Sequence, residues 1–218
     1  MIQIDRGPEP TERLSMRRRE LARATLHWAS SPSASFDGYQ FRGYRLGLEH
    51  IYKRQFEKCA FCERIAGWEN QPAEHFRPKN GAVRGDPRTG RTGTDEHHYW
   101  WLAWSWEVLL WSCTRCNGTA TKGNWFPLVP GTPPLPLPPR QALATLPATC
   151  FDVAREQPLL LDPAREDPMR SIVWHPLDEQ QPWDRLKWRP RGLNERGHVT
   201  IATFALDKQH AEDVSKHV

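Results

Sequence analysis

Two CxxC pairs enclosing a Glu-His dipeptide, a thin supply of apolar residues and 20 prolines predict an α+β fold. Its centre is a small ββα core held by a structural zinc and surrounded by helices and Pro-rich loops. The pairs are Cys59-Ala60-Phe61-Cys62 and Cys113-Thr114-Arg115-Cys116. A two-residue spacer lets one tight turn aim both sulfurs at a single ion, and four thiolates complete a tetrahedral zinc site. No coordination position is left open, so the zinc is structural. Chemistry then falls to the residues it holds in place: Glu74 and His75 between the pairs, and Asn117 directly after the last cysteine.

The composition agrees with a stapled core. Hydrophobic residues make up 38% of 218 residues, below the roughly 45–50% usual for globular domains. A bound metal compensates for a thin core. The formal charge of +4 and pI near 8.9 permit a phosphate-rich partner without requiring one. Arg17-Arg18-Arg19, the set Arg84, Arg88 and Arg91, and the run Arg185, Lys187, Arg189, Arg191 and Arg196 read either as nucleic-acid contacts or as solvated surface. No apolar run reaches membrane-helix length and the N-terminus lacks a signal-peptide core, so a cytoplasmic protein with no membrane partner is expected. Five cysteines, four of them in metal-type pairs, suit a reducing compartment; Cys150 is left over. The sequence has no GxxxxGK[ST] loop, so it is not expected to hydrolyse nucleotides itself.

The elements follow in order. Residues 11–29 read as an amphipathic helix capped by Thr11, with Leu14, Leu21 and Leu26 as its apolar positions, ended by the segment around Pro32. A second helix is predicted over 44–56 from Leu46, Leu48, Ile51, Tyr52 and Phe56. Residues 80–95 have no apolar period and read as a long exposed loop. The aromatic run from His97 to Trp111 leads directly into zinc ligands, which favours core packing over base stacking; His97 and His98 read as packing or solvent-facing more than as extra ligands. Residues 127–139, with seven prolines, exclude any regular element. Leu159-Leu160-Leu161 suggests a short buried strand, and residues 199–216 a segment ending in helix. This divides the chain into an N-terminal helical region (1–56), a zinc-stabilised core (57–128) and a Pro-rich linker and accessory region packed on the core (129–218).

Glu74, His75 and Asn117 are the side-chain types a single-metal nuclease needs: a base to activate water and hard oxygen ligands for a divalent ion. On a ββα unit, a hairpin carrying Glu74-His75 faces a helix that begins near Asn117. His75 is then the general base, and Glu74 and Asn117 hold Mg²⁺ or Mn²⁺ through oxygens. Arg77 and Lys79 follow closely enough to meet substrate phosphate. Alone, a Glu-His pair is usually a surface element and Asn117 a helix cap; the order of the motifs gives them weight.

Cys59-Ala-Phe-Cys62-Glu63, Glu74-His75-Phe76-Arg77-Pro78-Lys79, Tyr99-Trp100-Trp101-Leu102-Ala103, Trp106-Glu107, Cys113-Thr-Arg-Cys116-Asn117 and Lys122-Gly123-Asn124-Trp125-Phe126-Pro127-Leu128 resemble the HNH nucleases of the PtuB-like group. So do Arg6-Gly7-Pro8-Glu9-Pro10, Leu159 to Pro163, Glu166-Asp167-Pro168 and the Thr200-Ile201 and Leu206 segment, so the likeness runs nearly end to end. That group supplies the nuclease subunits of Septu-type antiphage defence and of some retron systems, beside an SMC-like ATPase of the PtuA type. The resemblance implies His75 as base, Glu74 and Asn117 as ligands of the catalytic metal, the four paired cysteines as zinc ligands, and Arg77, Lys79 and Lys122 as substrate contacts. It implies cleavage of DNA to a 5′-phosphate and a 3′-hydroxyl. The group usually carries an Asn in Trp-Glu-Asn-Leu that braces the catalytic loop; here Val108 stands in that place. The chain also stops early for the group, at Lys216-His217-Val218. Two other readings stay open: a zinc-stabilised nucleic-acid-binding or adaptor module that has lost catalysis, and an HNH effector that cuts RNA.

Overall fold

The computed structural model describes residues 1–30, 36–69, 72–140, 146–177, 180 and 188–208. Helices and strands are mixed: α1 (Glu12–Ser30), α2 (Leu48–Arg54), β1 (Ala73–His75), β2 (Ala82–Asp86), β3 (Gly90–Asp95), β4 (Leu109–Trp111), α3 (Thr114–Asn117), β5 (Ile172–Pro176), β6 (Trp188–Gly192) and α4 (Glu195–Phe204). Among the described residues the strands pair as three antiparallel two-stranded ladders, β1 with β4, β2 with β3 and β5 with β6. No helix among the described residues is long and apolar enough to cross a membrane.

Helix α1 forms where the periodicity places it but buries a different face. Arg13, Met16, Glu20, Ala24 and Trp28 point inward, while Leu14 and Leu26 are exposed. The charged members are tolerated because each finds partners, as buried charge requires. Arg13 donates to the carbonyls of Tyr44, Leu46 and Trp104, and Glu20 accepts from Arg19 and Arg23. The leucine stripe was the wrong guide because a hydrogen-bonded arginine outranks it for the inward position.

Helix α2 is shorter than the predicted 44–56. Gly47 enters it from the left-handed region (φ 71°), and Phe56 and Glu57, at φ 55° and 62°, turn the chain out of it. Buried Gln55 holds this turn: its amide nitrogen donates to Lys58 O at 2.9 Å and Trp111 O at 3.0 Å, and its oxygen accepts from Trp111 N at 3.0 Å. The exit of α2 is thereby tied to β4.

The segment read as an exposed loop is the β2–β3 hairpin, with a register shift at Arg84/Gly85. It needs no apolar alternation because Arg84 pins it with side-chain bonds: to Asp95 Oδ2 at 2.7 Å, Phe126 O at 2.5 Å and Tyr99 Oη at 2.9 Å. Gly85 (φ 104°) is demanded by close approach, since a Cβ there would lie 2.5 Å from Gly90 O.

The aromatic run is core. Tyr99, Trp100, Trp101, Leu102, Ala103, Trp104 and Trp111 are all buried, as is His98, whose Nε2 lies 3.0 Å from Leu135 O. Residues 127–139 carry no helix or strand. Leu159, Leu160 and Leu161 are buried but form no strand; a single bridge joins Leu128 to Pro158. Their amides bond elsewhere, Leu159 N to Pro127 O and Leu161 N to Thr200 Oγ1. Helix α4 begins before the predicted segment, capped by Asn194 accepting from Gly197 N. The predicted helical end, like most of the 185–196 basic run's first half, lies outside the described residues.

One buried network joins the central and C-terminal segments. Glu156 accepts from Arg77 Nε at 2.9 Å, from Leu135 N at 2.8 Å and from Tyr99 Oη. Glu156→Ala strands Arg77 as an uncompensated buried charge. It is expected to cost about 3–5 kcal/mol, seen as a lower urea midpoint at unchanged slope; an unshifted midpoint would refute the role given to this pair.

Candidate metal centre and catalytic cluster

The four paired cysteines converge. Cys59, Cys62, Cys113 and Cys116 are buried, with sulfurs all within 4.8 Å of one another, and Cys62 Sγ is 3.7 Å from Cys113 Sγ. A tetrahedron of thiolates around zinc, with bonds of about 2.3 Å, spaces its sulfurs by roughly 3.8 Å, so the donor set fits such an ion. The first pair sits in a tight turn closed by Cys59 N to Arg64 O at 2.9 Å and Glu63 N to Cys59 O at 3.0 Å. This turn hangs on β4 through Ala60 N to Trp111 O at 3.1 Å. The second pair opens α3. Sharing of hydrogen bonds splits the thiols: Cys113, bonded by Cys116, is driven strongly toward thiolate, and Cys116 is pushed up in return. Burial raises Cys59, but its bonds to Cys116 and Cys62 bring it to about 7. Cys150, the fifth cysteine, is buried apart from the cluster.

Beside this frame runs the β1–β4 ladder, in register Ala73↔Trp111, Glu74↔Leu110 and His75↔Leu109. Residues 76–108 intervene, and α3 follows β4 directly. Asn117, the last residue of α3, donates from Nδ2 to Ala73 O at 3.3 Å. Because a carbonyl only accepts, that bond fixes the amide orientation and leaves Oδ1 as the atom available to an ion or water. Asn117 is thus fastened to the residue before Glu74.

Alternation along β1 sends Glu74 and His75 to different surroundings. Glu74 is 1% exposed, and burial, opposed by the charges of Lys122 and Lys79, raises its pKa. Its Oε1 lies 2.6 Å from Lys122 Nζ, an ion pair buried on both sides. A carboxylate and the Asn117 amide oxygen are donor types that a hard divalent cation takes. His75 lies with Nε2 2.9 Å from Ala103 O. Its ring meets Tyr44 edge-on at 4.9 Å. Burial, then the charge of Lys79, holds its pKa well below 6.5.

Backbone bracing around His75 comes from three sides: Phe76 N to Val108 O at 2.8 Å, Lys122 Nζ to His75 O at 3.1 Å, and the imidazole on Ala103 O. Val108 itself is fully buried and contributes only its main chain. Of the three candidate phosphate contacts, Lys79 is half-buried with Nζ 5.1 Å from the Tyr44 ring centre. Arg77 and Lys122 are instead buried against protein groups, Arg77 on Glu156 and on Val153 O at 3.0 Å, Lys122 on Glu74. Sequence reasoning did not find Tyr44 or the Ala103 carbonyl. Tyr44 falls where helical periodicity predicts a helix, and a main-chain acceptor carries no side-chain signal.

No family model matches the chain, and no solved structure matches it. Among curated proteins it is 29% identical over 224 residues to Septu protein PtuB of Bacillus mycoides (strain KBAB4), covering 96% of this chain and 64% of that protein. The likeness supports a PtuB-like group, and the chain spans just under two thirds of the relative's length.

Proposed function

We propose, with the likeness to PtuB as premise, that this chain is the nuclease effector of an antiphage defence complex: a divalent-metal-dependent HNH endonuclease that hydrolyses DNA phosphodiesters beside an SMC-like ATPase of the PtuA type. The observation that carries the reading is the imidazole of His75. Its Nε2 can only donate to Ala103 O, which fixes the tautomer and leaves Nδ1 as a basic lone pair. Its depressed pKa keeps that lone pair unprotonated at neutral pH, the state a general base needs.

In this reading the β1–β4 ladder followed by α3 is the ββα unit, with residues 76–108 as an insertion between its strands. His75 Nδ1 removes a proton from water as the water oxygen attacks phosphorus. The bond from phosphorus to the 3′-oxygen breaks, and solvent protonates the departing oxygen, leaving a 5′-phosphate and a 3′-hydroxyl. A divalent ion held by Glu74 and Asn117 would supply charge stabilisation for the phosphorane and the leaving oxygen. Lys79, at the Tyr44 rim, meets the substrate backbone, and Arg77 fastens the strand end to Glu156.

The test is cleavage by the zinc-loaded protein with Mg²⁺ or Mn²⁺, on DNA and on RNA, alone and with the ATPase. Divalent-dependent nicking or cutting of DNA is expected. Cleavage of RNA alone would replace the substrate. Binding without cleavage in every arm would leave the zinc-stabilised adaptor, a reading favoured by Val108 in place of the bracing Asn and by the charge of Glu74 being already met by Lys122.

A further inference from the structure

We infer that Lys122 is the counter-ion of Glu74, and that it couples entry of the catalytic metal to arrival of substrate phosphate. This rests on the nuclease reading above and concerns a residue that reading leaves without a step.

Lys122 and Glu74 are, respectively, 0% and 1% exposed, too buried for either charge to be met by water. The ammonium stands 2.6 Å from Glu74 Oε1 and is anchored by donating to His75 O at 3.1 Å. It therefore sits against the oxygen that a metal would take. The carboxylate thus faces the ammonium of Lys122 directly and feels the charge of Lys79 as well. The carboxylate is already ion-paired before a divalent ion arrives.

Adding that ion at Oε1 leaves two outcomes. Either it lies close to an ammonium in a site of low dielectric, where repulsion between cations is strong, or Lys122 must leave, and a buried ammonium leaves only for another anion. A backbone phosphate supplies that anion in both cases. The free protein should then hold the metal weakly, metal and nucleic acid should each tighten the other by the same factor, and the coupling should depend on the charge of Lys122.

The experiment measures Mn²⁺ affinity by electron paramagnetic resonance on the zinc-loaded full chain, with and without a short DNA duplex bearing phosphorothioate linkages that resist cleavage. Wild type is expected to bind Mn²⁺ more tightly with duplex, by on the order of tenfold or more. Lys122→Met should raise the affinity of the free protein by a similar factor and lose most of the duplex effect, while Lys122→Arg, which keeps the charge, preserves the wild-type pattern. If Lys122→Met does not fold, Lys122→Gln, which retains a donor for His75 O, takes its place. The inference is overturned if wild type binds Mn²⁺ equally with and without duplex, or if the uncharged variants gain no affinity. The nuclease reading fails in a different way: wild type and every variant bind no Mn²⁺ in either condition, and Glu74→Gln changes nothing.

Discussion

Stripping the metal from the four-cysteine cluster is expected to unfold the centre of the protein. Binding free energies of structural zinc in small zinc modules are about 10–16 kcal/mol near neutral pH, as large as the whole stability of a typical domain, about 5–15 kcal/mol. Here the dependence should be close to complete. Helix α3 spans only Thr114–Asn117, far below the roughly 12 residues at which an isolated helix becomes marginal in water. The first cysteine turn has only a few backbone bonds and one short bridge, Lys58 with Ile65. Neither piece holds itself. Without the ion, four thiols buried within 4.8 Å cannot all carry the negative charge that zinc would stabilise, and the cluster loses its reason to stay closed. Zinc analysis should give one ion per chain, and a strong chelator or Cys113→Ser should lower the melting temperature by tens of degrees or abolish cooperative melting. A chain that is metal-free by analysis yet melts as before would sink the structural role. Loss of Asn117 from the site follows from the same step, since its place beside β1 is set by α3.

What could be read from the residues divides along a physical line. Features set by local chemistry were legible: the cysteine turns, the proline segment, the burial of the tryptophan run ahead of Cys113. Features set by a partner far along the chain were not. Arg13 takes the inward face of α1 because carbonyls at Tyr44, Leu46 and Trp104 receive it, and nothing within one helical turn announces that. The β2–β3 hairpin hides from hydrophobic periodicity because its lock, Arg84, bonds Phe126 and Tyr99. A turn signal was nonetheless present in Asp86-Pro87 followed by Gly90. The approach of Asn117 to the strand carrying Glu74 was legible from the order of the motifs, but the burial of Lys122 on Glu74 was not, because a lysine after a CxxC motif looks the same whether it faces solvent or a carboxylate.

Replacing His75 tests the proposed chemistry at its source. A positioned general base contributes on the order of 10²–10⁴-fold to rate, so His75→Ala is expected to lose cleavage by about that factor while binding DNA and retaining zinc. His75→Gln separates base from brace: its amide can still donate to Ala103 O, so the strand should keep its place while the loss of cleavage persists. Equal cutting by His75→Ala and the parent would end the mechanism. The pH dependence supplies an independent signature, and its sign follows from burial. An imidazole has a pKa near 6.5 in the unfolded chain, and in the fold His75 lies well below it. Between those two values the unfolded state binds a proton that the folded state refuses. Stability at this group is thus fully present above about pH 6.5 and lost as pH falls toward the folded pKa. Wild type should therefore melt progressively lower as pH falls from 7 to 5, and His75→Gln should lose part of that slope; an identical slope would show that His75 does not carry the depressed pKa. Activity should follow the same proton, with the acid limb of the cleavage profile below 6.5, because an imidazole kept neutral by burial still accepts a proton from water at a pH where an exposed one is already charged.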